Sequence, residues 1–166
     1  MSDLLVNVCP ARDMAVADLY DILRLRSDVF DLEQRCTAND LDGRDLEPGT
    51  VHYWIVRSQR TIGCLRVLEG SGGDRWIGRV CVERSERRAG LASKLMARAV
   101  DRHGGHRLLL HGQAHLAGWY SSFGFTIMGE AFEQAGIPHV EMIRPPGGPS
   151  ADGSAGVHPL APGVPY

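Results

Sequence analysis

The chain has 166 residues, 43% of them hydrophobic and 23% charged, the composition of one globular domain of average size. Eighteen basic against twenty acidic residues leave a net charge of −2, with no Lys/Arg-rich face to attract nucleic acid or an anionic membrane. No apolar run approaches the ~18 residues of a membrane span, and residues 1–10 lack the basic stretch and hydrophobic core of a secretory leader, so a cytoplasmic protein is expected.

Asp13 is placed to cap a helix whose apolar positions Val16, Leu19, Ile22 and Leu23 recur at helical spacing, and a second helical stretch covers residues 27–34. Residues 39–50 are polar and turn-rich, with Asp40, Asp42, Gly43, Asp45, Pro48 and Gly49. They lack the ligand register of a calcium loop and read as a solvated connector. Strand-like runs at 51–57, 61–68 and 76–82, joined by short turns, predict an antiparallel meander. The period then changes: Leu91, Leu95, Met96, Ala99 and Val100 trace a helical stripe that ends before Gly104-Gly105. A strand at 107–111, an amphipathic turn or helix at 116–123, and strands at 125–132 and 138–144 follow.

This order predicts an α+β fold with a mixed sheet, in which the strands at 76–82 and 107–111, joined through a helix, lie parallel. Ligands settle where such neighbours part. Residues 145–166 hold six of the nine prolines and five glycines, a composition that predicts a flexible tail outside a folded domain of residues 1–144. The cysteines Cys9, Cys36, Cys64 and Cys81 form no C-x-x-C pair; Cys64 and Cys81 read as buried thiols, Cys36 as a more exposed one. His103, His106, His111 and His115 straddle a helix end, a turn and a strand, so they make no metal-binding face on one helix, and no metal is expected.

Chemistry concentrates where the strand Val80-Cys81-Val82 runs through a turn into Arg87-Arg88-Ala89-Gly90-Leu91-Ala92 at the start of the helical stripe. Such a junction leaves backbone N–H groups unpaired at a helix start, where the dipole favours an anion. Gly90 and Ala92 permit close approach of a phosphate, and Arg87 and Arg88 add charge. A plain solvated cap of the same composition is equally common.

Arg87 to Ala92 resembles the R/Q-x-x-G-x-G/A pyrophosphate motif of GNAT acyltransferases, with Ala92 where Gly is commoner, and Tyr120-Ser121-Ser122-Phe123-Gly124-Phe125 resembles their Y-x-x-F-G-F. Leu25 to Phe30 with Glu33-Gln34, Asp42-Gly43, Gln113-Ala114-His115 and Gly136 to Met142 extend the similarity to the ElaA-like branch, over residues 15–144. The resemblance implies the GNAT fold, a mostly antiparallel sheet with a parallel splayed pair at the cofactor site. It implies acetyl-CoA as donor and a primary amine of a small molecule or peptide as acceptor; an exposed last strand or a shared sheet edge would permit a homodimer, for which no heptad or patch argues.

By the same resemblance the backbone of Val80, Cys81 and Val82 holds the pantetheine, and Arg87, Arg88, Ala89, Gly90, Leu91 and Ala92 hold the pyrophosphate. Gln113 and Tyr120 complete the donor site. Tyr120, read alone as a ring packed beside Trp119 and Phe123, becomes the general acid, because a phenol of pKa near ~10 matches a departing thiolate. An amine of pKa ~10.4 must lose a proton before it attacks. His115, His139 and Glu141 are the candidate bases, with Glu83 a further one. His139 and Glu141 share one face of the last strand and could meet the acceptor together with Glu33, Gln34 and His115. The competing reading is a non-catalytic acyl-CoA-binding module of the same fold, with Tyr120 inert.

Overall fold

The computed structural model describes residues 4–147. Its strands are β1 (Val6–Pro10), β2 (Val51–Arg57), β3 (Arg60–Glu69), β4 (Arg75–Val82), β5 (Leu108–Gln113), β6 (Thr126–Gln134) and β7 (Ile137–Arg144), in the sheet order β1-β2-β3-β4-β5-β7-β6. The helices are α1 (Val16–Arg26), which continues as a π-helix over Ser27–Glu33, α2 (Leu91–His103) and the short α3 (Ala117–Ser121). The sheet is mixed: β4 and β5 are parallel, and every other neighbouring pair is antiparallel.

Alternation along the strands divides the core between two faces. Tyr53, Ile55, Leu65, Val67, Val80 and Val82 pack in one cluster with Leu91, Leu95, Met96, Ala99 and Val100 of α2. Their neighbours Trp54, Cys64 and Cys81 point the other way, against Ile22, Leu25 and Val29. Leu95 and Met96 are fully buried, and each side chain of this size contributes about 1.5–3 kcal/mol.

The feature that makes a site lies in β4. Cys64 pairs with Cys81 but Arg66 pairs with Gly78, so β4 carries one residue more than β3 across this interval. The extra residue is absorbed at Arg79, whose φ is +56°. A bulge of this kind bends a strand. β4 and β5 share only the rungs Arg75↔Leu108 and Trp76↔Leu109, after which β5 pairs with β7 as far as Gln113↔His139. The β5-facing edge of β4 is therefore without a partner strand beyond Trp76.

Several local expectations change. The edge strand β1 was not expected from the sequence; it pairs Val6 to Pro10 with Ile55 to Val51. Asp13 does not cap α1, whose N-cap is Ala15 with no side-chain hydrogen bond, and Val16 is 84% exposed. The helix instead buries Ile22, Leu25 and Arg26. Residues 39–50 are no solvated connector either: Asp40, Asp45 and Thr50 are buried, because three arginines hold the loop against the sheet. Residues 148–166, most of the Pro/Gly-rich segment, lie outside the described residues. Among the described residues, no helix is long and apolar enough to cross a membrane.

Candidate active site

The parting of β4 from β5 opens a cleft of about 480 Å³. Trp76 to Val80 of β4, with Arg66 and Leu68 of β3, line one side, and His111 and Gln113 of β5, Ile137 and His139 of β7 and Tyr120 of α3 line another. Phe30, Gln34, Cys36 and Ala38 contribute from the π-helix and the segment after it. That segment is tied to the β6–β7 turn, where the Thr37 amide donates to the Ala135 carbonyl at 3.3 Å. Within the cleft the Gln113 side chain donates to Gln34 Oε1 at 3.3 Å.

Tyr120 is 3% exposed yet reaches the cleft. Its ring lies against Gly112 of β5, so close that a Cβ built there would stand 2.6 Å from Tyr120 Cε2. Trp119 flanks it at 4.8 Å between ring centroids. Tyr120 thus packs beside Trp119 and also borders the cleft.

A run of rings crosses the sheet beside the cleft: Trp76 edge-on to His111, His111 edge-on to Phe132, and Phe132 stacked on His139, all but Phe132 lining the cleft. His139 Nδ1 donates to the Ile137 carbonyl at 2.7 Å, which leaves Nε2 as the acceptor of the neutral ring. Burial lowers the His139 pKa below the ordinary imidazole value. Glu141 does not line the cleft; it meets His111 Nε2 at 3.3 Å. His115 is exposed on the turn after β5 and also lies outside the cleft lining. Cys36 lines the cleft, but burial, Asp31 and Asp40 push its thiol up, which disfavours the nucleophilic thiolate.

The other wall is ionic. Arg26, 1% exposed, donates to Asp40 Oδ2 at 2.8 Å and to Asp45 Oδ1 at 2.5 Å. Arg66 spans Asp42 and Asp45, with 2.8 Å to Asp42 Oδ1 and 3.0 Å to Asp45 Oδ1. Arg79 meets Asp40 at 2.7 Å and Asp42 at 3.3 Å. Burial alone would raise the Asp42 carboxyl, but Arg66, the Arg44 amide and Arg79 hold it far below the usual carboxylate range. Sequence reasoning did not place Arg66, Arg79, Asp40, His111 or Trp76 in a site; charges paired across 14 to 39 positions leave no periodic trace.

At the start of α2, Val82, Arg87, Arg88, Gly90, Leu91 and Ala92 surround a second, small cavity with Trp119. Gly90 is the N-cap in the left-handed region, φ +74°, with nothing within 4 Å of where a Cβ would stand. The amides of Leu91, Ala92 and Ser93 have no intrahelical acceptor, as at any helix start. Ala89 is exposed in the same turn, and Cys81 turns its thiol to the opposite face, 3.6 Å from Cys64. Arg87 is not held free for an anion: it grips Glu33 with both terminal nitrogens at 2.6 and 2.8 Å and donates to the Val82 carbonyl at 3.1 Å. Arg87 holds the Glu33 carboxyl below its usual range. Glu33 therefore faces the helix-start loop and is absent from the cleft lining.

A helix start with open amides, a bare strand edge and a small residue at the entry fit an elongated ligand with a phosphorylated end. Among the described residues, no three His, Cys, Asp or Glu side chains converge as a metal site. The family model of the acetyltransferase (GNAT) domain matches residues 28–144. A UPF0039 protein of Mycobacterium tuberculosis is 38% identical over 142 residues, which is 83% of this chain and 91% of that protein. Protein ElaA of Escherichia coli is 33% identical over 138 residues, 80% of this chain and 90% of its own. The ElaA crystal structure superposes with a TM-score of 0.80, covering 86% of this chain and 99% of that one at 30% identity. An acyl-CoA N-acyltransferase from Pseudomonas aeruginosa does so equally, at 0.80 and 33% identity over 85% and 99%. The strand-and-helix order, the splayed parallel pair and these similarities together make this chain a member of the GNAT acetyltransferase family, related to ElaA.

Proposed function

We propose that the protein is an acetyl-CoA-dependent N-acetyltransferase that transfers the acetyl group to a primary amine by direct attack on the thioester. The observation that carries this reading is the meeting of Tyr120, Val80 and His139 on one cleft. When bound, acetyl-CoA supplies an acyl group already activated as a thioester. In this reading the open amides of α2 and the loop from Arg88 to Ala92 hold its diphosphate, as a helix start favours an anion. The bare edge of β4 offers N–H and C=O groups to an extended amide chain in the manner of an added strand. Arg87 positions this region indirectly, fixing the end of β4 through the Val82 carbonyl.

His139 receives the amine's proton at Nε2, the nitrogen left open by the bond from Nδ1 to Ile137. Burial keeps that imidazole neutral near pH 7, as a base must be. Tyr120 holds its proton and gives it to the departing thiolate, a match in basicity that a carboxylic acid would lack. Glu141 acts at one remove, through His111.

Free thiol released from acetyl-CoA in the presence of an amine panel tests the reading. Tyr120→Phe should slow release by ~10² or more while coenzyme A still binds. His139→Gln should abolish the acid limb of the pH profile, a limb placed below the ordinary imidazole value. Equal turnover by Tyr120→Phe and wild type would refute the assignment, and binding without any release would return the chain to the non-catalytic module.

A further inference from the structure

Five charged side chains line the cleft: Asp40, Asp42, Arg44, Arg66 and Arg79. The acidic members are already neutralised by arginine. Asp40 Oδ2 is taken by Arg26 and its Oδ1 lies buried against Arg79. Asp42 has Arg66 and the Arg44 amide on Oδ1, and Arg66 and Arg79 on Oδ2. The basic members are not so spent. Arg79 Nε lies buried 2.7 Å from Asp40 Oδ1 without hydrogen-bonding it, Nη2 donates to the Asp40 carbonyl and to Asp42, and Nη1 makes no hydrogen bond among the described residues. Arg44 shares only Nε with Glu47, at 3.1 Å to each oxygen, and both its terminal nitrogens are open among the described residues.

We infer that the acceptor is a small amine that also carries a carboxylate, received by the free guanidinium nitrogens of Arg79 and Arg44. A guanidinium donates and never accepts, and its planar fork matches a carboxylate. Among the described residues the one carboxylate oxygen of the lining that accepts no hydrogen bond, Asp40 Oδ1, is buried, so the open charge left to a ligand is cationic, which opposes a diamine or polyamine and suits an anionic end. Arg79 sits in the strand next to Val80, within the bulge, in a left-handed conformation that glycine would adopt more readily. The side chain, rather than the backbone, gives arginine its use there. The hydrogen bond from Thr37 to Ala135 closes part of the roof, which favours a small molecule over a folded protein. The assignment rests on the acetyltransferase proposal for the role of this ligand as acceptor; its binding does not depend on turnover.

The test is equilibrium binding to the full-length chain, by ligand-observed saturation-transfer NMR titration. The probes are glycine, β-alanine, 4-aminobutyrate, 5-aminopentanoate and 6-aminohexanoate, each beside its own amide. At least one length should bind about tenfold more tightly than its amide, the margin of a charge-assisted pair. Arg79→Gln and Arg44→Gln should each reduce that ratio and leave the affinity of the amide unchanged. Arg44 stands on an exposed pair with Glu47, so its variant remains informative if Arg79→Gln loosens the loop. Amides that bind as well as the acids, or a ratio that survives both substitutions, would overturn the inference. A carboxylate preference without thiol release would uphold it and sink the transferase reading instead.

Discussion

Gly112→Ala isolates the seat of Tyr120 from every polar contact in the cleft. The added Cβ would stand 2.6 Å from Tyr120 Cε2, 2.9 Å from its Cδ2 and 3.1 Å from Leu110 Cδ1. Carbon atoms rest at about 3.5–4.0 Å, so the ring must withdraw by roughly 1 Å or β5 must move from β7. In an ordinary strand interior the same substitution would stabilise, by about 0.5–1 kcal/mol. Here the overpacking should destabilise by about 1–3 kcal/mol. A reacting group displaced by ~1 Å costs on the order of 10² in rate. Denaturant melts and thiol release, read together, check both parts, and coenzyme A should bind as in wild type because the start of α2 is untouched. A variant as stable as wild type and within twofold of its turnover would refute the claim that the backbone of β5 places the phenol.

The ionic wall makes its own prediction. Asp45→Ala removes one of the two carboxylates that neutralise Arg26, which is 1% exposed and donates to both Asp45 oxygens, and with Asp40 still paired should cost about 3 kcal/mol in chemical denaturation, the low end for breaking a buried pair. A loss below about 1 kcal/mol would mean that the loop does not depend on the network. His103, buried with its Nε2 2.8 Å from the Tyr53 hydroxyl, has its pKa lowered by burial from 6.5 to about 4. The unfolded chain therefore takes up a proton below pH 6.5 that the folded one refuses until about pH 4. Stability should fall as pH drops through that window, by about 3 kcal/mol, with His52 adding to the loss in the same direction. His103→Gln should flatten the dependence of Tm on pH, and an unchanged slope would contradict the assignment. Glu33→Gln should free Arg87 for the phosphates and tighten coenzyme A binding in titration calorimetry, with stability changed by no more than about 1 kcal/mol because the pair is partly solvated. Weaker binding would show that Glu33 holds Arg87 in its working position.

Much of this architecture was legible in the chain itself, and what was not shares a physical reason. The strands β2 to β4 announce themselves as short apolar runs bounded by turn residues, and α2 by the helical period of its stripe. Gly90 marks the helix start because its left-handed N-cap conformation suits glycine. Arg79 gave no such signal, since arginine is not a residue one expects in a left-handed bulge; only the pairing of β4 with β3 exposes it. Arg26 lies on a helical stripe beside Leu25, and no local rule says that Asp40 and Asp45 neutralise it in the interior. Glu33 and Arg87 were each assigned to a ligand, one to the acceptor and one to the diphosphate. Across 54 positions they bind each other, because local sequence carries no record of which charges meet in space. The aromatic run through His111 was hidden likewise, since it is assembled from four strands.

The most direct measurement is a calorimetric titration of coenzyme A into the full-length protein at two ionic strengths. Amides at the start of α2 and the arginines around them should bind one molecule per chain, more weakly as salt screens the diphosphate. No heat at millimolar coenzyme A, or binding that Ala92→Glu leaves intact, would contradict the placement of the donor on which the roles of Tyr120 and His139 depend.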